Sequence, residues 1–500
     1  MVPGKEEIPI GRRSRILSLP MLGLVLVGAA ASGLLDIFPP FVRVFSVLAV
    51  FSYLPGEILL QRFARGRWPH VETRVPLAVL IGLSGYSVVS WVAWLAGATL
   101  DTYLAVLQIA AAVLFLVFAV EHLLRGEDRR AHDAGAGCSR RVKTISFYGV
   151  AIGVAVFFLL VPPSLSGQGD AYVHIGYVRS ILQNDSLAPG GVLSRVDGDE
   201  PVTADPRRGT FHLLLAGCSK LAAVEPVALW RMLPVLLGPV AVLAFAGFAA
   251  LLLPSGAYLL FAVVLFLMFQ GGLGRAFLGT IAYGQHFALV FYWVLFSVCV
   301  LSRHRRSFLD LTIVLGVLLG GALIHIDVAI HFGLLFASLV LFNRVFRFPW
   351  TSLAWLGLGA VVCAGVVLVW KIATAYSGGN PLHSHPQGLL YFFDIGARYF
   401  VLSPAEIIRR NGLIFLTGLV MVVPLVFLRR HRRFARMNLA LAVPPILIAL
   451  NPWVAPLVYA RASYLLHRFL LNVPAVTGPW RSSTSTFPRG PSWRAIPSRA

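Results

Sequence analysis

Apolar stretches of about twenty residues recur along this chain, and they restrict its fold more than any other feature. A helix of about 20 apolar residues crosses the hydrocarbon core of a bilayer. We count about fourteen candidate spans on this criterion, some of them short. They lie near residues 16–37, 41–60, 75–97, 103–123, 144–163, 228–253, 257–271, 283–302, 309–325, 328–343, 352–371, 411–428, 438–450 and 453–472. The predicted fold is an all-α, polytopic membrane protein.

Composition agrees with that fold class. Hydrophobic residues make up 58% of the chain, charged residues 13%, and the mean hydropathy is +0.79, whereas about 25% of the residues in a soluble globular protein are charged. The formal charge of +21 lies in short basic clusters between apolar runs, which is the pattern of cytoplasmic loops. We therefore expect a multi-pass protein of the cell membrane with a cytoplasmic N terminus, membrane lipid as a partner and no nucleic-acid partner.

The large loop between the fifth and sixth spans, residues 164–227, differs in charge from the others. It holds seven of the 21 acids of the chain and only five of its 42 Lys and Arg. Because the basic stretch RGEDRRAHDAGAGCSRRVK precedes the fifth span, that span is expected to run outward and to place the loop outside. The segment TFHLLLAGCSKLAA within the loop is apolar but short for a crossing, and it predicts an interface helix.

One helix face in this loop carries groups suited to acid–base chemistry. Asp170 opens the segment DAYVHIGYVRSIL, and His174 and Tyr177 follow at i+4 and i+7. A helix lying at the interface would present all three side chains together. A carboxylate acts as a general base when it lies within hydrogen-bond reach of the reacting hydroxyl. Aspartate is also among the best N-cap residues, so helix capping is the alternative role for Asp170.

A membrane span, a short polar link and an acid opening a helix of this form resemble the first external loop of the GT-C superfamily of membrane glycosyltransferases. The resemblance covers roughly Thr144 to Pro474. It implies transfer of a sugar from a polyprenyl-phosphate donor to a glycan, lipid or protein acceptor on the external face, with Asp170 as catalytic base. We add the hypothesis that His174 tunes or orients Asp170. Some members carry paired acids here, whereas Ala171 follows Asp170, so dependence on a divalent metal stays open and no other cofactor is expected.

Residues in other segments are candidates for substrate binding. His383 and His385 lie two apart in the turn NPLHSHPQG, where an exposed turn is the alternative. Two histidines alone make a poor metal site, so no metal site is predicted. Asp205 in the acidic loop and Asp327, at a tight turn after His325, are the next candidates for the base if Asp170 is not. We take Tyr177, Asp205, His383 and His385 as candidate substrate contacts.

Two arginines near the end of the chain complete the candidate site. Arg461 and Arg468 lie seven apart on one helix face. Arg461 is the nearer of the two to the external rim, where a guanidinium can hold a lipid phosphate through paired donors, so it is preferred over Arg468 for binding the donor phosphate. The alternative is an arginine that extends its charge to the membrane surface.

The sequence divides into three parts. Residues 1–143 are predicted to form an accessory module of four spans with a basic cytoplasmic loop, and residues 144–476 a GT-C-like core. Residues 477–500 are rich in Ser, Pro and Arg and predict no packed element. The abrupt change in composition at this point suggests a disrupted reading frame or a truncation near Val476.

The alternative functions are a transporter or flippase of lipid-linked sugars and a membrane protein without catalytic activity.

Overall fold

The fold is helical throughout most of the part of the chain that the computed structural model describes. The described residues are 19–64, 70–125, 138–163, 165, 171–185, 187, 209–253, 256–269, 278–303, 308–373, 389–391, 399–411, 432–462, 466 and 469–470. Within them, one antiparallel pair of short strands, β1 Leu389–Tyr391 and β2 Phe400–Leu402, is the sheet structure, with Tyr391 opposite Phe400.

The helices follow the apolar runs of the sequence. They are α1 Leu19–Ala31, α2 Pro40–Leu48, α3 Leu54–Phe63, α4 Val71–Leu95, α5 Leu100–Arg125, α6 Cys138–Leu160, α7 Ala171–Asn184, α8 Gly209–Leu221, α9 Pro226–Leu252, α10 Gly256–Phe269, α11 Gly284–Ser302, α12 Phe308–Ile324, α13 Ile326–Leu341, α14 Asn343–Phe346, α15 Trp350–Ala373, α16 Pro404–Asn411, α17 Arg432–Ala449 and α18 Ala455–Ala462. A π-helical turn, Ala49–Tyr53, joins α2 to α3, so that Pro40–Phe63 is one continuous helix.

Several of these helices are long and apolar enough to cross a membrane. Within the described ranges there are five: Pro40–Phe63, Val71–Leu95, Leu100–Glu121, Pro226–Leu252 and Gly284–Ser302. Helix α5 presents an exposed apolar stripe at helical spacing, formed by Val106, Ile109, Val113, Leu116, Val117 and Val120. A soluble protein buries such a stripe, whereas lipid tails cover it in a bilayer. These features indicate a polytopic membrane protein. The predicted count of fourteen spans is not confirmed, since α1, α12 and α13 are apolar but shorter.

Helix α4 is the element around which the others pack. A Cβ on Gly56 of α3 would overlap the backbone of Ala78 of α4, and a Cβ on Gly82 of α4 would overlap the backbone of Ser52. On another side of α4, Gly320 of α12 lies directly against Ser84. Small residues at such crossings let helix backbones approach closely, which is how helices gain contact within a membrane. The apolar core is consequently continuous from Val27 to Leu441.

The helix ends gather into two groups at opposite ends of the bundle. At the first, here called the site end, the backbone N–H of Leu100 donates to the carbonyl of Asp185 (3.1 Å), and the hydroxyl of Tyr86 donates to the carbonyl of Leu213 (3.3 Å). The second, the basic end, holds the termini after α11 and α14 and before α17, where Arg303, Arg347 and Arg433 line one cavity. Which end faces the cytoplasm stays a prediction.

The short apolar segment of the large loop does form a helix, α8, but this helix is enclosed by protein. Its residues from Thr210 to Ser219 are all buried, and it packs against α4, α7 and α9. A surface helix would instead expose one face to water. The predicted boundary between an accessory module and a core near residue 144 stays a prediction, although the same apolar core extends on both sides of it.

Candidate functional site

Helix α7 supplies the first groups of the candidate site. It begins at Ala171, the residue after Asp170, and buries Ala171, Ile175 and Val178 against its neighbours. The adjacent face places His174 beside Tyr177, with ring centroids 6.4 Å apart and ring planes at 82°. The helical spacing seen in the sequence therefore does bring this imidazole and this phenol together. Asp170 itself lies outside the described residues.

A second histidine, from α8, completes a hydrogen-bonded pair with His174. Nδ1 of His174 lies 2.8 Å from Nε2 of His212. The ring planes are inclined by only 8° and the centroids are 5.1 Å apart, which places the imidazoles edge to edge in nearly one plane. One ring must donate and the other accept, so the hydrogen bond fixes complementary tautomers. His212 is 2% exposed, whereas His174 is half-buried. The buried ring of His212 thus fixes the orientation of the more accessible ring of His174.

Aromatic side chains from three other positions surround the histidine pair. Trp230 of α9 lies nearly parallel to His174, with centroids 5.8 Å apart and 20° between the planes. Tyr283, at the N-cap of α11, meets the same imidazole at 82° and 5.2 Å. Tyr177 meets His212 at 78° and 5.3 Å. Such perpendicular and offset contacts are the favoured geometries of aromatic pairs. The rings of His174 and His212 are therefore held in fixed orientations.

The turn before α11 adds a further imidazole next to Tyr283. His286 lies in the first turn of α11, and its ring centroid is 5.9 Å from that of Tyr283. Its Nδ1 lies 2.8 Å from Oγ1 and 3.1 Å from the carbonyl oxygen of Thr280. A ring nitrogen facing a carbonyl oxygen carries the proton, so Nδ1–H of His286 donates there.

The turn between α12 and α13 lies against the same region. A Cβ on Gly284 would be 3.0 Å from Cδ2 of His325 and 3.5 Å from Phe211, the neighbour of His212. Glycine at 284 thus permits the close approach of His325. Nδ1 of His325 accepts a hydrogen bond from the backbone N–H of Asp327 (3.2 Å), which caps α13. The Asp327 carboxylate, 6% exposed, lies 3.7 Å from the same nitrogen.

Ion pairs at the protein surface fix α7 in place beside the histidine pair. Arg179 of α7 donates to the carboxylate of Glu225, which also caps α9 by accepting from the backbone N–H of Val227 (2.6 Å). Burial opposes ionisation of Glu225, but the hydrogen bonds from Arg179 and from the backbone outweigh it and lower the pKa of that carboxyl. Charges and hydrogen bonds thus keep Glu225 ionised and α7 tied to α9.

The far end of α7 is tied to α5 in a similar way. The carboxylate of Asp185 accepts from the backbone N–H of Asp101 at 3.0 Å, and Lys220 of α8 lies 2.5 Å from Asp101 and 3.6 Å from Asp185. Burial lowers the pKa of Lys220, but the hydrogen bond and charge of Asp101, with those of Asp185, outweigh it and raise that pKa. Both helices that carry the histidine pair are therefore anchored to the long helix α5.

The other candidate residues from the sequence fall largely outside the described part of the chain. Asp205, His383, His385 and Arg468 lie outside it altogether. Arg461 belongs to α18, where the backbone is described but not the side chain. The position of these residues relative to the histidine pair therefore stays a prediction.

The structure adds residues that were not singled out in the sequence. His212, Trp230, Tyr283 and His286 come from three further helices and turns, and none shares a short motif with Asp170. The one signal for His212 was a histidine within the apolar segment TFHLLL. Among the described residues, no group of three or more His, Cys, Asp or Glu side chains is arranged to hold a metal ion. The arrangement that is present suits holding and moving a proton.

Comparisons with known proteins give one structural similarity. The sequence matches no family model and no curated protein. Among solved structures, the crystal structure of the Archaeoglobus fulgidus oligosaccharyltransferase in its apo form is similar to this chain with a TM-score of 0.40 and 11% identity. The alignment covers 66% of this chain and 50% of that one. The chain therefore spans half the length of the structure it matches.

Proposed function

We propose that this chain is an integral-membrane glycosyltransferase of the GT-C type, which transfers a sugar from a polyprenyl-phosphate donor to a glycan, lipid or protein acceptor on the external face of the membrane. The observation that carries the proposal is the His174–His212 pair, enclosed by Trp230, Tyr283 and Tyr177 at one end of a bundle of long apolar helices. The helix bearing His174 begins directly after Asp170.

The chemistry of sugar transfer needs a proton acceptor close to the attacking hydroxyl. In this proposal Asp170 takes that proton, since a carboxylate within hydrogen-bond reach of the hydroxyl serves as a general base. His174 follows one helical turn later and orients the carboxylate. His212 acts on His174 by fixing its tautomer through the 2.8 Å hydrogen bond. Asp170 is thus the catalytic residue, and the two histidines are positioning residues.

Substrate binding is assigned to residues around the histidine pair. Trp230 and Tyr283 are themselves buried and hold His174, and Tyr177, on the same helix as His174, is the proposed substrate contact. The departing polyprenyl phosphate gains negative charge, which a fixed cation stabilises. We assign that role to Arg461 or, less favourably, Arg468. Asp205, His383 and His385 are the proposed further contacts to sugar or acceptor.

The proposal is tested by donor turnover with purified protein in detergent. A panel of polyprenyl-phosphate hexoses and pentoses is supplied, and released polyprenyl phosphate is measured for the wild type and for His212→Gln. We expect His212→Gln to lose about 100-fold in turnover because His174 is no longer held in one tautomer. His70→Gln is the matched control, since His70 precedes α4 at the basic end. It should retain wild-type turnover.

Two further readouts keep the test decisive. The pH dependence of turnover should change in His212→Gln while its thermal unfolding temperature stays within a few degrees, since a packing role alone would alter only the latter. Vesicles that translocate the lipid-linked sugar without releasing polyprenyl phosphate would instead identify a flippase. No turnover of any donor by the wild type, with intact folding, would refute the proposed reaction.

A further inference from the structure

A cavity of about 630 Å³ at the basic end is lined by five arginines. They come from three separate places in the chain: Arg303 follows α11, Arg344 and Arg347 belong to α14 and its C-cap, and Arg433 and Arg436 lie at the start of α17. Among the described residues that line it, none is acidic. Basic loops on one side of a membrane are expected on topological grounds, but that rule requires neither a shared cavity nor the absence of carboxylates.

The arginines of this cavity lie close enough to affect one another's charge. Arg303 is half-buried; burial lowers the pKa of its guanidinium, and the charges of Arg433 and Arg347 lower it further. Arg433 and Arg436 lie in the first two turns of α17, at the helix end that carries partial positive charge and disfavours cations. An anion between the arginines would be attracted both by their charges and by the N terminus of α17.

The turn at Arg347 fixes the place of this arginine at the cavity. Arg347 has φ of 60° and ψ of 47°, the left-handed conformation in which many helices end. The amide of Asn343 holds this turn, since its Oδ1 accepts from the N–H of Phe348 at 2.8 Å and its Nδ2 donates to the Phe348 carbonyl at 3.1 Å. The position of Arg347 at the cavity is therefore set by the turn and its hydrogen bonds.

The remaining lining is apolar and identifies what kind of anion fits. Phe342, Val345, Phe346, Met437, Leu439 and Ala440 share the cavity with the arginines. A soluble phosphate gains nothing from such a surface, whereas the glycerol and first acyl carbons of a phospholipid bury against it. Arginine side chains match phosphate oxygens with paired donors. Basic pockets between membrane helices bind anionic headgroups in this manner.

We propose that this arginine cavity binds the phosphate headgroup of an anionic phospholipid, with the arginines on the phosphate and the acyl chains leaving over the apolar lining. The site lies at the opposite end of α11 from the histidine pair. With 19 residues in α11 and about 1.5 Å per residue, the separation is about 28 Å. The proposal is therefore independent of the proposed transferase activity, and either can fail without the other.

The test compares two variants that lose the same charge from the same end of the bundle. Arg344→Gln/Arg433→Gln removes two cavity arginines, and Arg140→Gln/Arg141→Gln removes two basic residues from the start of α6. Binding of phosphatidylglycerol to delipidated protein is followed by native mass spectrometry and by the rise in unfolding temperature. We expect the cavity variant to bind about 25-fold more weakly, about fivefold for each arginine, and the α6 variant to bind as the wild type does.

Further measurements distinguish binding of a lipid from binding of free phosphate, and a further variant tests whether the loss of binding reflects misfolding. Phosphatidylcholine and inorganic phosphate should give no rise in unfolding temperature. Arg347→Asn removes a charge while keeping a residue that tolerates the left-handed conformation, so it should fold normally and bind the lipid about fivefold more weakly. Equal weakening in the α6 variant would overturn the proposal in favour of general charge attraction. An equal response to inorganic phosphate would overturn the assignment to lipid.

Discussion

At the level of single residues, the His174–His212 pair is the most informative contact in the structure. Two neutral imidazoles joined by one hydrogen bond share one proton between facing nitrogens. The hydrogen bond makes one ring the donor and the other the acceptor, so each ring keeps one tautomer. A fixed tautomer suits the positioning role proposed for His174.

Asp170→Asn separates catalysis from helix capping. Asparagine keeps the capping oxygen but is no base, so expression and unfolding temperature should stay nearly unchanged while turnover falls by about 100- to 10,000-fold. Asp185→Asn serves as a comparison, because Asp185 lies at the other end of α7 and anchors α5. It should cost some stability and little turnover. If Asp170→Asn keeps more than about a tenth of the activity, Asp205 and Asp327 become the candidates for the base.

The ion pair between Arg179 and Glu225 predicts an acid-sensitive anchor for α7. Because the folded state lowers the pKa of Glu225, its stabilising contribution is complete above its ordinary pKa of about 4.5 and is lost as pH falls through the lowered value. Both side chains are about half exposed, so water screens the pair and the effect is at most about 1 kcal/mol.

Unfolding temperatures measured at pH 7 and near pH 3.5 check this anchor. The decrease between the two should be smaller in Glu225→Gln than in the wild type, and Arg179→Gln should behave alike. The double variant should lose no more stability than the more affected single variant, because both changes remove one interaction. Additive losses would show that Glu225 and Arg179 act separately.

At the level of helices, the bounds of the long helices could be predicted from the sequence, whereas the residues of the site could be predicted only in part. The long apolar runs place α4, α5, α9 and α11 close to their predicted bounds, since each helix satisfies its own backbone hydrogen bonds. His174 and Tyr177 were found because helical spacing is local information. Trp230 and Tyr283 were not, because a sequence does not state which helices become neighbours. Small residues at helix crossings determine which helices pack together, but such residues occur throughout an apolar chain and do not identify the crossing.

The crossing of α12 over α4 gives a test of that packing. Gly320→Ala would force a methyl group onto Ser84 and should lower the free energy of unfolding by about 1–3 kcal/mol. Gly316, one turn earlier on the same helix, has no atom within 4 Å of the added carbon. Gly316→Ala should therefore be neutral or slightly stabilising, because alanine favours helix over glycine. Equal unfolding temperatures for the two variants in detergent would contradict the close crossing.

At the level of the whole molecule, the two ends of the bundle must face opposite sides of the membrane. A cysteine at position 166, in the large loop before α7, should react with an impermeant thiol reagent added outside cells, and one at position 307, after α11, should not. Cys218, Cys299 and Cys363 are buried, so a Cys138→Ser background suffices for these Ser166→Cys and Ser307→Cys variants. The reverse labelling would place the histidine pair in the cytoplasm and end the proposal of an external site.

The enclosure of α8 has a consequence for how the protein is made. This helix of 13 residues is too short to insert as a span. The hydroxyl of Tyr86 from α4 donates a hydrogen bond to the backbone carbonyl of Leu213 in α8. A Cβ on Gly217 would overlap that same hydroxyl, so glycine at this position lets α8 lie directly against α4. The ribosome delivers α4 before α8. We therefore expect the N-terminal helices to be needed for His212 to reach its partner, because α4 forms one wall of the space that α8 occupies.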